Sequence, residues 1–278
     1  MGAPGQTVEE RMTDSFISHE RDGVVWMTAP NIEARHAFST RLGGVSTGAL
    51  SSLNLGFGRG DSAETVLENY RRLGRAVGVD AFSAAFTQQV HGTDVRVITD
   101  ADRCAPDFHA PCSSDGLVTA AEGLPLFCFT ADCVPALLHD PAHGVIGAVH
   151  CGWRSSVGDI LGVALEKMAA LGAVPGDIRA AFGPAIGQCC FETDIDVPDA
   201  LRAWLGADAE ECISPGRAPG KFQVDLRAAN ARRLVQLGVP RGNIAVSGEC
   251  TVCSHDKYWS HRYVRGGARG SQCALITL

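Results

Sequence analysis

Cys133 and His150 bracket the most apolar part of the chain: Cys133 stands immediately before the run Val134 to Leu138, and His150 immediately after Val145 to Val149. Between the runs, His139-Asp140-Pro141-Ala142-His143-Gly144 supplies Asp-Pro to start a turn and Gly to end it. Apolar runs of about four to eight residues bounded by turn formers suit buried strands. The two runs therefore predict an antiparallel hairpin whose far ends bring Cys133 and His150 together. A thiol beside an imidazole can be a nucleophile with its base, two ligands of a metal, or an inert buried thiol beside a surface ring. Spacing alone leaves all three open. His91, in Gln88-Gln89-Val90-His91-Gly92, gains chemical interest only as a third member of that set.

Other polar motifs read more plainly. Arg41 opens the loop Leu42-Gly43-Gly44-Val45-Ser46-Thr47-Gly48, whose N–H groups could cradle an anion, but it lacks the lysine of a P-loop and reads as a turn. Gly56, Gly58 and Gly60 superficially resemble a dinucleotide fingerprint. They run into Asp61-Ser62-Ala63-Glu64, read as a capping box whose own carboxylate takes the helix N-terminus where a pyrophosphate would sit. Val66, Tyr70, Leu73 and Val77 then follow at helical spacing up to Gly78. Cys104, His109 and Cys112 fall in a polar stretch and read as loop residues. Cys250-Thr251-Val252-Cys253 has zinc-knuckle spacing without a second pair, and the vicinal Cys189-Cys190 sits in a turn after Gly183-Pro184, so neither is assigned a metal.

The elements that must position these groups follow from pattern. Gly23 to Thr28, Ala34 to Thr40, Leu124 to Phe129, Val95 to Ile98, Ile178 to Phe182, Asn243 to Ser247 and Gln272 to Leu278 predict further strands. Ser155 or Ser156 is expected to cap one helix carrying Ile160, Leu161, Ala164, Leu165, Met168 and Leu171, and Pro198 to Leu205 and Leu226 to Leu237 predict two more. Residues 1–20 lack periodicity and read as a loose tail. No repeat or Pro/Gly/Ser-rich linker divides residues 21–278, which are expected to form one domain.

Composition narrows the class. A 278-residue chain with 45% hydrophobic and 20% charged residues is ordinary for a soluble enzyme. Net charge −7 argues against general nucleic-acid binding, and no apolar run approaches the roughly 18 residues of a membrane span. The eleven cysteines are an odd number without a small-scaffold pattern, which points to free thiols in a reducing cytoplasm. Basic residues are nearly all arginine, the side chain suited to gripping phosphate or carboxylate with two prongs. The pattern fixes no oligomeric state.

Taken in order, Thr40 to Ser46, the helix with Glu68-Asn69, QQVHG at 88–92, DGLVT, TADCVP, VHCGWR, FGPAIGQCCFE and the terminal WSHR resemble the YfiH-like family over about residues 23–278. Members of that family have been catalogued as laccase-domain or multicopper polyphenol oxidase proteins, peptidoglycan editing factor and purine nucleoside phosphorylases. The resemblance implies an α+β fold, a single domain of mixed β-sheets covered by helices and similar to the Cys-His toxin deamidases. It implies that His91, Cys133 and His150 are zinc ligands, with copper as the alternative ion, leaving a position for water or substrate. It further implies phosphorolysis of adenosine, inosine or methylthioadenosine, with deamination of adenosine, purine nucleosides and phosphate being the small-molecule partners. Arg41, Arg154 and Arg262 are the expected phosphate contacts, Arg41 first because its Gly-rich loop adds N–H donors, and Gln88 and Asp132 are expected either to contact base or ribose or to orient the metal ligands from behind. A Cys-His hydrolase of peptidoglycan precursors and a copper oxidase are the rival activities. This sequence departs from the family pattern at Ser155-Ser156, Cys151 and Gly267-Ala268-Arg269-Gly270, none of which removes a ligand.

Overall fold

The structure, a computed structural model, describes residues 16–106 and 112–278. His109 and most of the N-terminal tail therefore lie outside the described residues. In chain order the strands are β1 (Ile17–Arg21), β2 (Val24–Thr28), β3 (Arg35–Ser39), β4 (Val95–Val97), β5 (Gly116–Thr119), β6 (Leu126–Thr130), β7 (Val134–Asp140), β8 (Val145–Cys151), β9 (Arg179–Phe182), β10 (Glu192–Thr193), β11 (Ile213–Pro215), β12 (Phe222–Val224), β13 (Ile244–Val246) and β14 (Gln272–Thr277). The α-helices are α1 (Ala63–Val77), α2 (Trp153–Val157), α3 (Ile160–Ala170), α4 (Asp196–Leu205), α5 (Leu226–Gln236) and α6 (His261–Val264).

Two sheets lie face to face in this α+β fold. One is antiparallel, in the order β1-β2-β3-β14-β6; the other is mixed, in the order β13-β9-β7-β8-β5-β4. Side chains alternate across a strand, and β7 and β8 show why both of their faces must be apolar. Leu137, Ile146 and Ala148 pack between the sheets with Phe38, Leu126 and Ile276. Val134, Ala136, Leu138, Val145 and Val149 face the other way, onto α3, α4 and α5 through Ile160, Leu165, Leu201 and Leu234. On the far side of the antiparallel sheet, α1 lays Val66, Tyr70 and Leu73 against Ala37, Phe127 and Leu275. The order through the molecule is helix, sheet, sheet, helices.

Three expectations are corrected. Ile17–Arg21, read as part of a loose tail, pairs along its whole length with β2 as an edge strand. The single helix expected from Ser155 or Ser156 to Leu171 is two: Gly152 precedes α2, and Asp159, in the left-handed region at φ 68°, separates α2 from α3. That break is fastened because the Asp159 carboxylate accepts Arg233 Nε at 2.7 Å, Arg233 Nη2 at 2.6 Å and Trp204 Nε1 at 3.2 Å. The capping box at residues 61–64 is replaced by a simpler cap, with Ser62 accepting the Thr65 N–H. The Asp61 carboxylate instead accepts from Ser46 Oγ and Asn54 Nδ2, both at 2.8 Å, tying the Gly-rich loop to the start of α1. A strand not read from pattern, β5, lies within DGLVT and pairs with both β4 and β8. No helix among the described residues is long and apolar enough to cross a membrane.

Candidate metal and substrate site

β7 and β8 pair as an antiparallel hairpin with Pro135 opposite His150, so Cys133 lies at the open end next to that ring. At the closed end, Asp140 Oδ1 accepts the N–H groups of Ala142 and His143, and Gly144 takes φ 62° to turn the chain. His91 arrives from the loop before β4. Its ring lies 4.8 Å from that of His150, edge to face, and its Nε2 is 3.8 Å from Cys133 Sγ. Backbone conformation is strained at this convergence, with His91 at φ 60° and Asp132 at φ 99°, regions that residues other than glycine adopt only when their surroundings hold them there.

Asp115 supplies much of that restraint. Its carboxylate accepts the N–H groups of Val90, His91 and Gly92 at 2.8–3.1 Å and contacts His150 Nδ1 at 2.8 Å. Because the carboxylate can only accept, Nδ1 carries the proton and Nε2 is left as the donor atom toward Cys133 and His91. Burial alone would raise the Asp115 pKa, but His150 and the N–H groups of Gly92 and Val90 outweigh it and lower the value. Burial also opposes the Cys133 thiolate, yet His150 and His91 bring that thiol down to about 6. For His150, burial disfavours the charged ring, whereas Asp115 and Cys133 raise its pKa to about 9.

The donor atoms of His91, Cys133 and His150 all lie within 4.8 Å of one another. Nitrogen and sulfur donors at about 2.0–2.3 Å from one tetrahedral ion stand roughly 3.3–3.8 Å apart, so two imidazoles and one thiolate so placed suit a transition metal. The site forms part of the wall of a cavity of about 860 Å³. Phe57, Phe86, Phe129 and Trp153 line it, and the rings of Phe86 and Phe129 are parallel within 12°. Arg59, Arg262 and Arg269 line it as well.

The other sequence-derived candidates divide. Gln88, Asp132 and Arg262 line the cavity; Arg41 and Arg154 do not. Arg41 is spent on packing: Nε and Nη2 donate to Ser51 O at 3.0 and 2.6 Å, Nη1 donates to His255 O at 2.8 Å, and the guanidinium stacks 3.9 Å from the Trp259 ring. Arg154 lies over the Trp153 ring at 4.3 Å. Asp132 has both oxygens engaged, one accepting from Thr251 Oγ1 and the other from the Arg262 N–H, each at 2.6 Å, so the residue immediately before Cys133 is itself held in place. The Gln88 side chain and the Arg59 guanidinium make no hydrogen bond among the described residues. Asp115, Arg59 and Arg269 were missed from sequence; the Asp-Gly of DGLVT, which resembles a turn signal, was the only trace of the first.

Residues 35–278 match a family described as "Multi-copper polyphenol oxidoreductase laccase". The chain is 36% identical over 276 residues to "Purine nucleoside phosphorylase YlmD" of Geobacillus stearothermophilus, covering 95% of this chain and 97% of that one. The crystal structure of YlmD from the same organism superposes with a TM-score of 0.87, covering 95% of this chain and 98% of its own. "Adenosine deaminase RL5", from an unknown prokaryotic organism, is 36% identical over 238 residues, 84% of this chain and 90% of that protein. The crystal structure of the Bacillus licheniformis hypothetical protein YfiH is 30% identical with a TM-score of 0.87, covering 93% and 97% of the two chains.

Proposed function

Since this chain belongs to the YfiH-like family of laccase-domain proteins, we propose that it is a zinc-dependent purine nucleoside enzyme. The reactions are phosphorolysis of adenosine, inosine or methylthioadenosine to free base and the corresponding 1-phosphate, and deamination of adenosine to inosine. The observation that carries the reading is the meeting of His91, Cys133 and His150 on the wall of a cavity that also offers aromatic faces and guanidinium groups. The relatives named purine nucleoside phosphorylase and adenosine deaminase support it.

His91, Cys133 and His150 would hold the ion, with Asp115 fixing the His150 ring. Zinc bound there supplies Lewis acidity and activates water near neutral pH. The Phe86 and Phe129 faces offer the purine a stacking wall, and the unengaged Gln88 amide can bond its polar edge. In phosphorolysis the bond from the sugar's anomeric carbon to the base breaks, a bond to a phosphate oxygen forms, and the departing purine takes a proton. Arg262, Arg59 and Arg269 are the groups that can hold the phosphate while positive charge grows on the sugar. Zinc is preferred to copper because, among the described residues, no methionine lines the cavity to serve as a weak axial ligand.

The deciding experiment separates products from adenosine and inosine chromatographically, with and without phosphate, in protein of measured metal content. Free base and ribose 1-phosphate are expected only with phosphate, and inosine from adenosine in both tubes. Unchanged nucleoside in both tubes, with metal bound, removes the reading. If Cys133 is a free nucleophile rather than a ligand, it will be alkylated as readily before a chelator is added as after.

A further inference from the structure

We propose that Cys189, Cys190, Cys250 and Cys253 form a second metal site, a structural four-thiolate zinc centre that clips two loops of the cavity wall together. The four sulfur atoms all lie within 4.8 Å of one another. Cys253 Sγ is 3.6 Å from Cys189 Sγ and 3.5 Å from Cys190 Sγ. Four thiolates about 2.3 Å from one tetrahedral ion stand roughly 3.8 Å apart, whereas a disulfide draws its two sulfurs to about 2.0 Å. The cluster has the first spacing at both measured edges. Read as sequence, Cys250-x-x-Cys253 lacked its second pair; the fold supplies it from a vicinal pair 60 positions upstream (250 − 190 = 60).

One backbone N–H and two guanidinium groups stand beside the cluster. The Gly187 N–H points at Cys250 Sγ at 3.2 Å. A Cβ on Gly187 would stand 3.1 Å from Cys250 Cβ and 3.2 Å from Cys189 Sγ, so this position favours the smallest residue. Arg217 Nη2 donates to Cys189 O at 2.9 Å and Arg262 Nη1 donates to Cys190 O at 3.1 Å, placing two cationic groups beside the cluster. Four thiolates and one zinc carry a net charge of −2, which these donors offset.

The location gives the centre its purpose. Cys189 and Cys190 lie between the cavity-lining Ile186 and Phe191, and Cys250 and Cys253 flank Thr251, whose hydroxyl holds Asp132 beside Cys133. A metal here would fix the wall that carries Arg262 without touching substrate, and it would add folding free energy because the unfolded chain has no such site. The inference does not depend on which reaction the cavity performs.

The test counts zinc in the purified full-length protein and in two variants. Wild type is expected to hold two zinc ions per chain, Cys133→Ser one, and Cys250→Ser/Cys253→Ser one. Cobalt(II)-substituted Cys133→Ser protein should show strong thiolate-to-cobalt charge-transfer absorption, and removal of the metal should lower its Tm. Cys133→Ser protein with no zinc overturns the proposal, as does a disulfide among the four residues in protein purified under reducing conditions. Should the double variant fail to fold, zinc content of wild type and Cys133→Ser still decides.

Discussion

His150 Nδ1 sits 2.8 Å from Asp115 Oδ1, and the same carboxylate receives three successive N–H groups from residues 90–92. One acidic side chain thus sets the orientation of one candidate donor and the backbone of another. Asp115→Asn removes the charge that holds the His150 proton on Nδ1, so zinc affinity is expected to fall about 10–100-fold with the fold retained. Competition against a chromophoric chelator measures the affinity, and circular dichroism checks the fold. Wild-type affinity in the variant would show that His150 needs no such anchor.

Arg59 and Arg41 should separate phosphate binding from stability. The Arg59 guanidinium lines the cavity and has no partner among the described residues, so Arg59→Ala is expected to raise the phosphate KM by about tenfold or more, the scale of one lost charge-assisted contact. The proposed deamination, which would use no phosphate, should change little. Arg41 is held by Ser51 O, His255 O and the Trp259 face. Arg41→Ala should therefore cost about 1–3 kcal/mol of stability, seen as a lower denaturation midpoint, with phosphate KM unchanged while the protein is folded.

The contrast shows what pattern can reach. The β7–β8 hairpin was legible because two apolar runs flank an Asp-Pro turn, and its register alone brings Cys133 beside His150. His91 was a candidate only through company, since nothing in a loop sequence says where its ring points. Arg41 was a candidate because it opens a Gly-rich loop and Arg59 was not considered, but a guanidinium's partners are set by distant carbonyls such as His255 O, 214 positions away. Asp115 was hidden for a related reason: an acidic residue before Gly resembles any turn, and its four contacts come from two other segments. The break at Asp159 was illegible because the apolar spacing that marks the helix begins only after it, at Ile160, while the expected cap was placed before it, and the tertiary partners Arg233 and Trp204 that fasten the left-handed residue are distant in sequence.

Gly152, in the VHCGWR motif, is expected to be a glycine for reasons of space. A Cβ there would lie 3.0 Å from His91 Cδ2 and 3.5 Å from both Cys133 Sγ and Ser155 Oγ. Its backbone, at φ −68° and ψ 162°, is open to alanine, so strain is not the issue. Gly152→Ala should push the His91 ring away from the other donors, lowering zinc affinity about tenfold or more. The stability cost measured with metal removed should stay near the low end of overpacking, about 1 kcal/mol. A variant with normal affinity would mean that the His91 ring can yield without losing its place.

Asp159 offers a test by pH. Burial would raise its pKa, but the Arg233 guanidinium and the Trp204 N–H prevail and hold the carboxyl below its ordinary value. A depressed folded pKa means that the unfolded state binds the proton more readily. The stabilisation is therefore fully present above the unfolded value of about 3.9 and is lost as pH falls through the folded one. Asp159→Asn keeps a side chain that tolerates the left-handed conformation and an oxygen that can accept one N–H, so the comparison isolates the charge. The Tm difference between wild type and variant should be largest near neutral pH and close as the pH drops below about 4. If the gap is the same at every pH, the carboxylate acts at the α2–α3 break through shape and neutral hydrogen bonding, and the Arg233 pair contributes nothing electrostatic.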